Sequence, residues 1–266
     1  MILKRRVALN NVQLDQVDSR IAISAVEPGD GKENISATDR AGGFGQRVTA
    51  AHRSYVDVVV RFRILERGKS TAGMTSRAQV IEAVNGWAAA GGVLTTNYKT
   101  GRQLNVRLVQ PIGEGSLWDY TKEFALTFRA YEIPYWEDAT PTVSTIGGES
   151  ATAGGTIAIG GSGPAQVEAA LTNKSSDTVN SVTLTVGGSN MVFSSLGLAA
   201  GETLAVGHVN GVLVIRIYNG TTHRSAMTKR TADSSDDFLV MPGTRYIGYI
   251  ADQNCEMVVN WRNRYL

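Results

Sequence analysis

The sequence predicts a mainly β protein built as two modules, and three observations carry that prediction. Glycine is abundant at 29 residues against 6 prolines, and it falls between short apolar runs, where tight turns need it. Residues 55–65 alternate apolar and polar with a period of two, the mark of a half-buried strand. Beyond residue 145 no helical repeat can be traced. The first module, residues 1–140, reads as α+β: a β-sandwich or split barrel carrying one helix. The second, residues 141–266, reads as a β-sandwich of jelly-roll or lectin type.

The elements follow in chain order. Lys4-Arg5-Arg6 precedes the strand-like Val7-Ala8-Leu9 and suits a solvated or edge position. Between Tyr55 and Leu65, Val56, Val58, Val60, Phe62 and Ile64 share one face, and Asp57, Arg61 and Arg63 share the other. A helix is predicted over about Thr75 to Ala90, with Val80, Ile81, Val84 and Trp87 as its apolar stripe. Thr75 or Ser76 would cap it, and Gly91-Gly92 would end it in a left-handed turn. Val93–Thr96 and Gln103–Val109 form a predicted hairpin around Tyr98-Lys99-Thr100-Gly101, and a strand follows over Tyr120–Tyr131.

The texture then changes. Residues 137–155 are dominated by small side chains, with Pro141 and Gly147-Gly148, and the boundary between modules is placed near 135–145. After it, eight runs recur at sandwich-like spacing: Thr156–Ile159, Gln166–Leu171, Ser181–Val186, Met191–Phe193, Thr203–Val206, Val212–Tyr218, Tyr246–Ile250 and Met257–Trp261. Glycine-rich turns such as Gly187-Gly188 and Asn219-Gly220 separate them.

Composition narrows the function classes. Formal net charge is +2, which gives no basic field for sequence-specific nucleic-acid binding. Cys255 is alone, so no intrachain disulfide can form and thiolate metal sites lack ligands. Asn10 and Asn11 stop the apolar stretch well short of a secretory signal, and no run approaches the ~18 apolar residues of a membrane span. A soluble chain made in the cytosol is expected.

Chemistry is equally sparse. Gly68-Lys69-Ser70 resembles the end of a phosphate-binding loop, but Arg63 stands where the motif needs glycine. His52, His208 and His223 are too far apart for a local metal motif. The acidic run Asp233-Ser234-Ser235-Asp236-Asp237 lacks the alternation, the glycine and the closing glutamate of a common calcium loop. No serine sits in a Gly-x-Ser-x-Gly elbow. The expectation is a non-enzyme with no catalytic, cofactor or metal residues. Aromatic residues crowd the end of the first module, with Trp118, Tyr120, Tyr131, Tyr135 and Trp136 read as core and hinge. In the second module Tyr218, Tyr246, Tyr249 and Trp261 are candidate sugar-stacking rings and equally good core fillers.

Taken in order, these segments resemble the siphophage distal tail protein family, called Dit. In the first half the resemblance rests on Val56–Leu65 followed by Glu66-Arg67-Gly68, the helix ending in Trp87, Leu94 with the hairpin through Gly101, Phe124–Tyr131, and Pro134-Tyr135-Trp136. In the second it rests on Val182-Thr183-Leu184, Gly201-Glu202-Thr203-Leu204, Asn210-Gly211, Ser235-Asp236-Asp237-Phe238, and Met241-Pro242-Gly243 before the last hairpin. The chain ends at Tyr265-Leu266, as expected of a short Dit without inserted carbohydrate-binding domains.

The resemblance implies a homo-hexameric hub in a phage or prophage tail tip, assembled in the host bacterial cytoplasm. The first module would form the ring and touch the tail tube protein and the tail-associated tip protein. The second would be galectin-like, project outward and hold a receptor-binding protein. Asp57, Arg61 and Arg63 are then candidates for the ring interface. The alternative function class is a carbohydrate-binding adhesion module that recognises host cell-wall sugars.

Overall fold

The computed structural model describes residues 5–29, 31–39, 46–65, 71–113, 123–209 and 212–266. It is mainly β, with antiparallel strand pairing throughout its ladders. The chain divides into two compact units, Met1–Trp136 and Glu137–Leu266.

The first unit opens with β1 (Val7–Leu9), β2 (Val12–Gln13) and a four-residue helix α1 (Leu14–Val17). Neither β2 nor α1 is foreshadowed by periodicity. α1 is held by a local device: the Gln13 N–H donates to Gln16 Oε1 at 3.1 Å, and Leu14 is fully buried. There follow β3 (Ile21–Pro28), β4 (Lys32–Asp39), β5 (Gln46–Ile64), α2 (Thr71–Ala89), β6 (Gly92–Thr96), β7 (Arg102–Gln110) and β8 (Phe124–Ala130). The strands lie in the order β2-β1-β6-β7-β8-β5-β3, and β4 pairs with β5.

β5 is twice as long as its alternating run. Its second half lies between β3 and β8, with Ile23 opposite Phe62 and Val58 opposite Phe128. There Val56, Val58, Val60, Phe62 and Ile64 are all buried, as the period-two pattern requires. Its first half pairs with β4, from Lys32 opposite Tyr55 to Asp39 opposite Gln46. That pairing makes a two-stranded ribbon on which every side chain from Lys32 to Ala37 is exposed.

α2 packs on the buried face of this sheet. Val80, Ile81, Val84 and Ala88 are buried, and Trp87 meets Phe128 edge-on at 6.0 Å. The helix starts at Thr71, so Thr75 and Ser76 lie within its first turns and do not cap it. Instead the Ser76 hydroxyl accepts from Arg20 of the turn between α1 and β3. At the other end Gly91 adopts φ +62°, and its N–H closes the helix on the Ala88 carbonyl at 3.1 Å.

The second unit is organised by one strand. The sequence reading split it into Tyr246–Ile250 and Met257–Trp261, but both belong to a continuous strand of 19 residues, Gly243–Trp261. β9 (Trp136–Asp138) spans the division, and then come β10 (Thr142–Ile159), β11 (Ala165–Asn173), β12 (Val182–Val186), β13 (Ser189–Phe193), β14 (Thr203–Val209), β15 (Val212–Asn219), β16 (Thr222–Ser225) and β17 (Leu239–Val240). The long strand is therefore β18, and β19 (Arg264–Tyr265) closes the chain.

β18 pairs on one edge with β10 over nearly its whole length. On the other edge its first half holds β12 and its second half holds β11. Two wings spring from it: β12 with β13, and β11 with β14, β15 and β16. Where the wings separate, both carboxylate oxygens of Asp252 accept from the Asn180 N–H, at 3.0 and 3.2 Å. A single apolar core fills the curl, including Leu171, Leu184, Met191, Phe193, Leu204, Ile217, Phe238 and Met257. Each such side chain stabilises the fold by about 1.5–3 kcal/mol relative to exposure.

β10 also extends the sequence reading, which began the first strand of this unit at Thr156. Small residues there serve close approach. The ladder is irregular between Gly147 and Thr152, and Gly147 adopts φ +79° directly against Tyr249. A β-carbon at Gly147 would collide with the Tyr249 hydroxyl. That hydroxyl lies within reach of the carbonyls of Ser150, at 3.0 Å, and Cys255 and shares its one proton between them, so the aromatic side chain pins the irregularity.

Candidate assembly surface

The outer face of the first unit's sheet carries the charged residues that the alternation of β5 sets opposite its core. Each of the three interface candidates has a partner within the chain. Asp57 and Arg129 are directly opposite on β5 and β8, and form a two-pronged ion pair at 2.6 and 2.8 Å. The Arg129 guanidinium also lies 3.8 Å from the Tyr55 ring centroid and 5.7 Å from that of Tyr131. Arg61 donates to Glu27 of β3 at 3.0 Å, and Arg63 lies 3.7 Å from Glu123. Arg107 of β7 meets Glu132 at 3.3 Å.

This face is a lattice of intramolecular pairs with exposed heads. Asp57 and Arg129 are both largely covered, while Arg61 and Arg63 remain open to solvent. Near Arg20, the side chain and N–H of that residue hold the Asp18 carboxyl down to a pKa of about 2.

Of the crowded aromatics, Trp118 and Tyr120 lie outside the described residues, as does Gly68-Lys69-Ser70. Trp136 is buried and packs edge-on with Tyr98 at 6.0 Å. Tyr98 is 42% exposed, and partial desolvation pushes its hydroxyl up to a pKa of about 12.

The four sugar-stacking candidates part company. Tyr249 and Trp261 are only 2% and 4% exposed and belong to the core, which removes both from that role because neither ring presents a face to a ligand. Tyr246 is 54% exposed and lies over Gly154. Tyr218 is half-buried beside His223, with ring centroids 5.5 Å apart.

The acidic run is docked rather than free. Ser234 and Ser235 bond through hydroxyl and backbone to Val192 and Asn190 of β13, which covers that strand's open edge. Asp236 pairs with Arg230, and Asp237 with His208 at 3.2 Å. Among the described residues no group of three or more histidine, cysteine or acidic side chains is placed to hold a metal. No helix of the described residues is long and apolar enough to cross a membrane.

Sequence reasoning missed a hollow of about 210 Å³ on the outer face of the β11 wing. Its lining includes Glu168, Ala170, Ala205, Gly207, Arg216, Tyr218 and Asn260. The one signal available was the run of small residues at alternate positions of β14, Ala205 and Gly207. Its meaning depends on which strands lie beside it.

Fold and surface together define a two-unit, mainly antiparallel β protein. Its first unit exposes a strand ribbon and a charged sheet face, and its second closes around its own core. Among solved structures, the chain is similar to the Dit protein of phage SPP1, described as a paradigm of the hub adsorption apparatus in phages infecting Gram-positive bacteria. The TM-score is 0.68 at 14% identity, covering 98% of this chain and 99% of that one. Two structures of the phage P2 baseplate in its activated conformation, with Ca and with Sr, match at TM-scores of 0.49 and 0.47 and identities of 8% and 7%. They cover 99% and 97% of this chain, and 98% of the other in each case. No family model and no curated protein matches the sequence. The chain is thus Dit-like in fold, along its whole length.

Proposed function

We propose that this protein is a structural, non-enzymatic component of a phage or prophage tail tip, a Dit-type hub that assembles as a homo-hexameric ring. The observation that carries the reading is the end-to-end correspondence of fold with SPP1 Dit, both units included. In this reading the first unit, residues 1–136, forms the ring and contacts the tail tube protein and the tail-associated tip protein. The second is the galectin-like unit, which faces outward and carries a receptor-binding protein. Assembly takes place in the host bacterial cytoplasm.

The physical state of the first unit supports this. A two-stranded ribbon exposed from Lys32 to Ala37 is marginal in water by itself, and gains most from a neighbour that covers it. Ile35, 59% exposed on that ribbon, adds apolar area for such a contact. The open heads of Arg61 and Arg63 can exchange Glu27 and Glu123 for acidic groups of an adjacent copy at little cost, since exposed pairs contribute little to the fold.

Native mass measurement and negative-stain imaging of the purified protein test the reading. A sixfold species is expected. The double charge reversal Arg61→Glu and Arg63→Glu should weaken the ring while leaving the subunit folded. A chain that stays monomeric at every concentration, alone and with tail tube and tip proteins, would refute the hub. A ring indifferent to the reversal would remove these two arginines from the interface.

A further inference from the structure

We propose that the hollow on the outer face of the β11 wing is a binding site for one ring of a neutral saccharide. The proposal does not depend on the hub reading, because a hub with or without this site has the same ring.

The hollow exists because the sheet opens there. β11 and β14 pair from Thr172 opposite Thr203 to Ala169 opposite Val206, and their ladder ends. Glu168 and Gly207 come next in register, but from Val167 onward β11 bonds to Phe238 and β17 instead. The floor is made of small side chains, with Ala170 directly opposite Ala205. The Glu168 carboxylate leans over Gly207, where a β-carbon would come within 3.3 Å of it. Asn260 stands opposite Glu168 on β18, and Arg216 stands opposite Ala205 on β15. Tyr218, one outward position further along β15, completes the lining.

The polar groups around the hollow are unspent. Glu168, Arg216 and Asn260 are half-buried, yet none makes a side-chain hydrogen bond or ion pair with another described residue. Elsewhere in this unit such groups are paired: Glu202 with Arg224, Glu137 with Arg264, and Lys174 with Glu256. At the edge of the hollow His208 is held by Asp237 through Nε2, and its Nδ1 is buried without a partner.

These groups define the ligand by chemistry. A carboxylate accepts from hydroxyls, a guanidinium fork donates to adjacent hydroxyl oxygens, and an amide does both. A tyrosine ring beside them offers an apolar surface for the C–H face of a sugar. One negative and one positive side chain leave the hollow without net charge. An anion therefore meets Glu168 and a cation meets Arg216, and a neutral polyol satisfies both. The volume falls below the usual range for larger organic ligands, which restricts the site to a single ring.

The test is saturation-transfer NMR and titration of the full chain with the methyl glycosides of glucose, galactose, mannose and N-acetylglucosamine, with glycerol phosphate as the anionic comparison. Saturable binding of at least one glycoside is expected. It should weaken about tenfold or more in Arg216→Ala and Asn260→Ala, as loss of a charged or bidentate hydrogen bond implies. Ala205→Phe, which fills the hollow and leaves its polar groups in place, should abolish it, and Tyr246→Ala should not change it. Absence of saturable binding to every glycoside, binding of glycerol phosphate alone, or binding that survives the alanine variants overturns the proposal. If Ala205→Phe fails to fold, Arg216→Ala and Asn260→Ala decide. Native mass measurement on the same samples reports the ring separately.

Discussion

The two units solve the same problem, disposing of strand edges and polar groups, in opposite ways. The second unit closes on itself. β18 has a partner on each edge, the serine-rich loop covers β13, and one continuous core lies inside. The first unit leaves much open. Its β4–β5 ribbon extends past the sheet, and the charged outer face is satisfied by pairs whose heads remain in water. The difference teaches where assembly has most to gain. A strand such as β18, held on both edges, has little free energy left to win from a neighbour, whereas an exposed ribbon has both backbone groups and apolar area to offer.

The largest expected effects test whether the units are energetically separate. Phe193→Ala empties the core of the second unit, and Phe62→Ala that of the first; each should cost about 3–5 kcal/mol. In denaturant, each substitution should lower one transition and spare the other. A single transition that shifts with either variant would break the contrast drawn above.

Next comes Gly147→Ala, which forces a side chain into a left-handed position against the Tyr249 ring. It should cost about 2 kcal/mol or more in the second unit alone. A change below about 0.5 kcal/mol would mean that the Tyr249 contact is not what holds the irregular stretch of β10 in place.

The pH dependence sharpens the comparison further. Glu202 is buried, and its carboxyl is held below its ordinary 4.5 by hydrogen bonds from Arg224 and then by the Ala199 N–H. A proton binds the unfolded chain more readily than the folded one here. The stabilisation is therefore complete above about pH 4.5 and is lost as pH falls through the depressed folded value. Asp18 in the first unit behaves likewise, and its stabilisation is lost as pH falls from 3.8 through about 2. Acid titration of urea midpoints should show a loss in each unit, and Glu202→Gln should flatten that of the second alone.

The smallest effects are absences of change. Burial pushes the Cys255 thiol up to a pKa of about 11, so a thiol reagent at pH 8 should label it only after unfolding. Rapid labelling of the native protein would show that the second unit opens locally. The Arg61 and Arg63 reversals should leave the first unit's denaturation midpoint nearly unchanged while weakening the ring.

Much of the fold could be read in the residues, and the reason is local. Val56 to Ile64 alternate because every second side chain faces one core, and Val80 to Ala88 recur at helical spacing because one stripe does. The hairpin at residues 92–110 is announced by its turn. Residues 142–155 were not legible as strand because glycine, serine and threonine look the same in a linker as in a strand that aromatic rings overlie. Asp57, Arg61 and Arg63 lie on the face opposite the core, as alternation requires, but their partners Arg129, Glu27 and Glu123 come from other segments of the chain. Only Tyr218, of the four proposed stacking rings, lines the hollow, because alternation fixes which residues share a face and leaves open which face is outward.

Alternation, turn chemistry and composition alone established a mainly β chain in two modules, with one long helix and no local catalytic motif. They could do so because burial imposes a period on neighbouring residues of one strand or helix. Tertiary structure decided that two runs form the single spine β18, that Tyr249 and Trp261 are internal, and that Glu168, Arg216 and Asn260 meet around one hollow. Those outcomes depend on strand order and register, which are set by the closing of a common core among segments far apart in the chain.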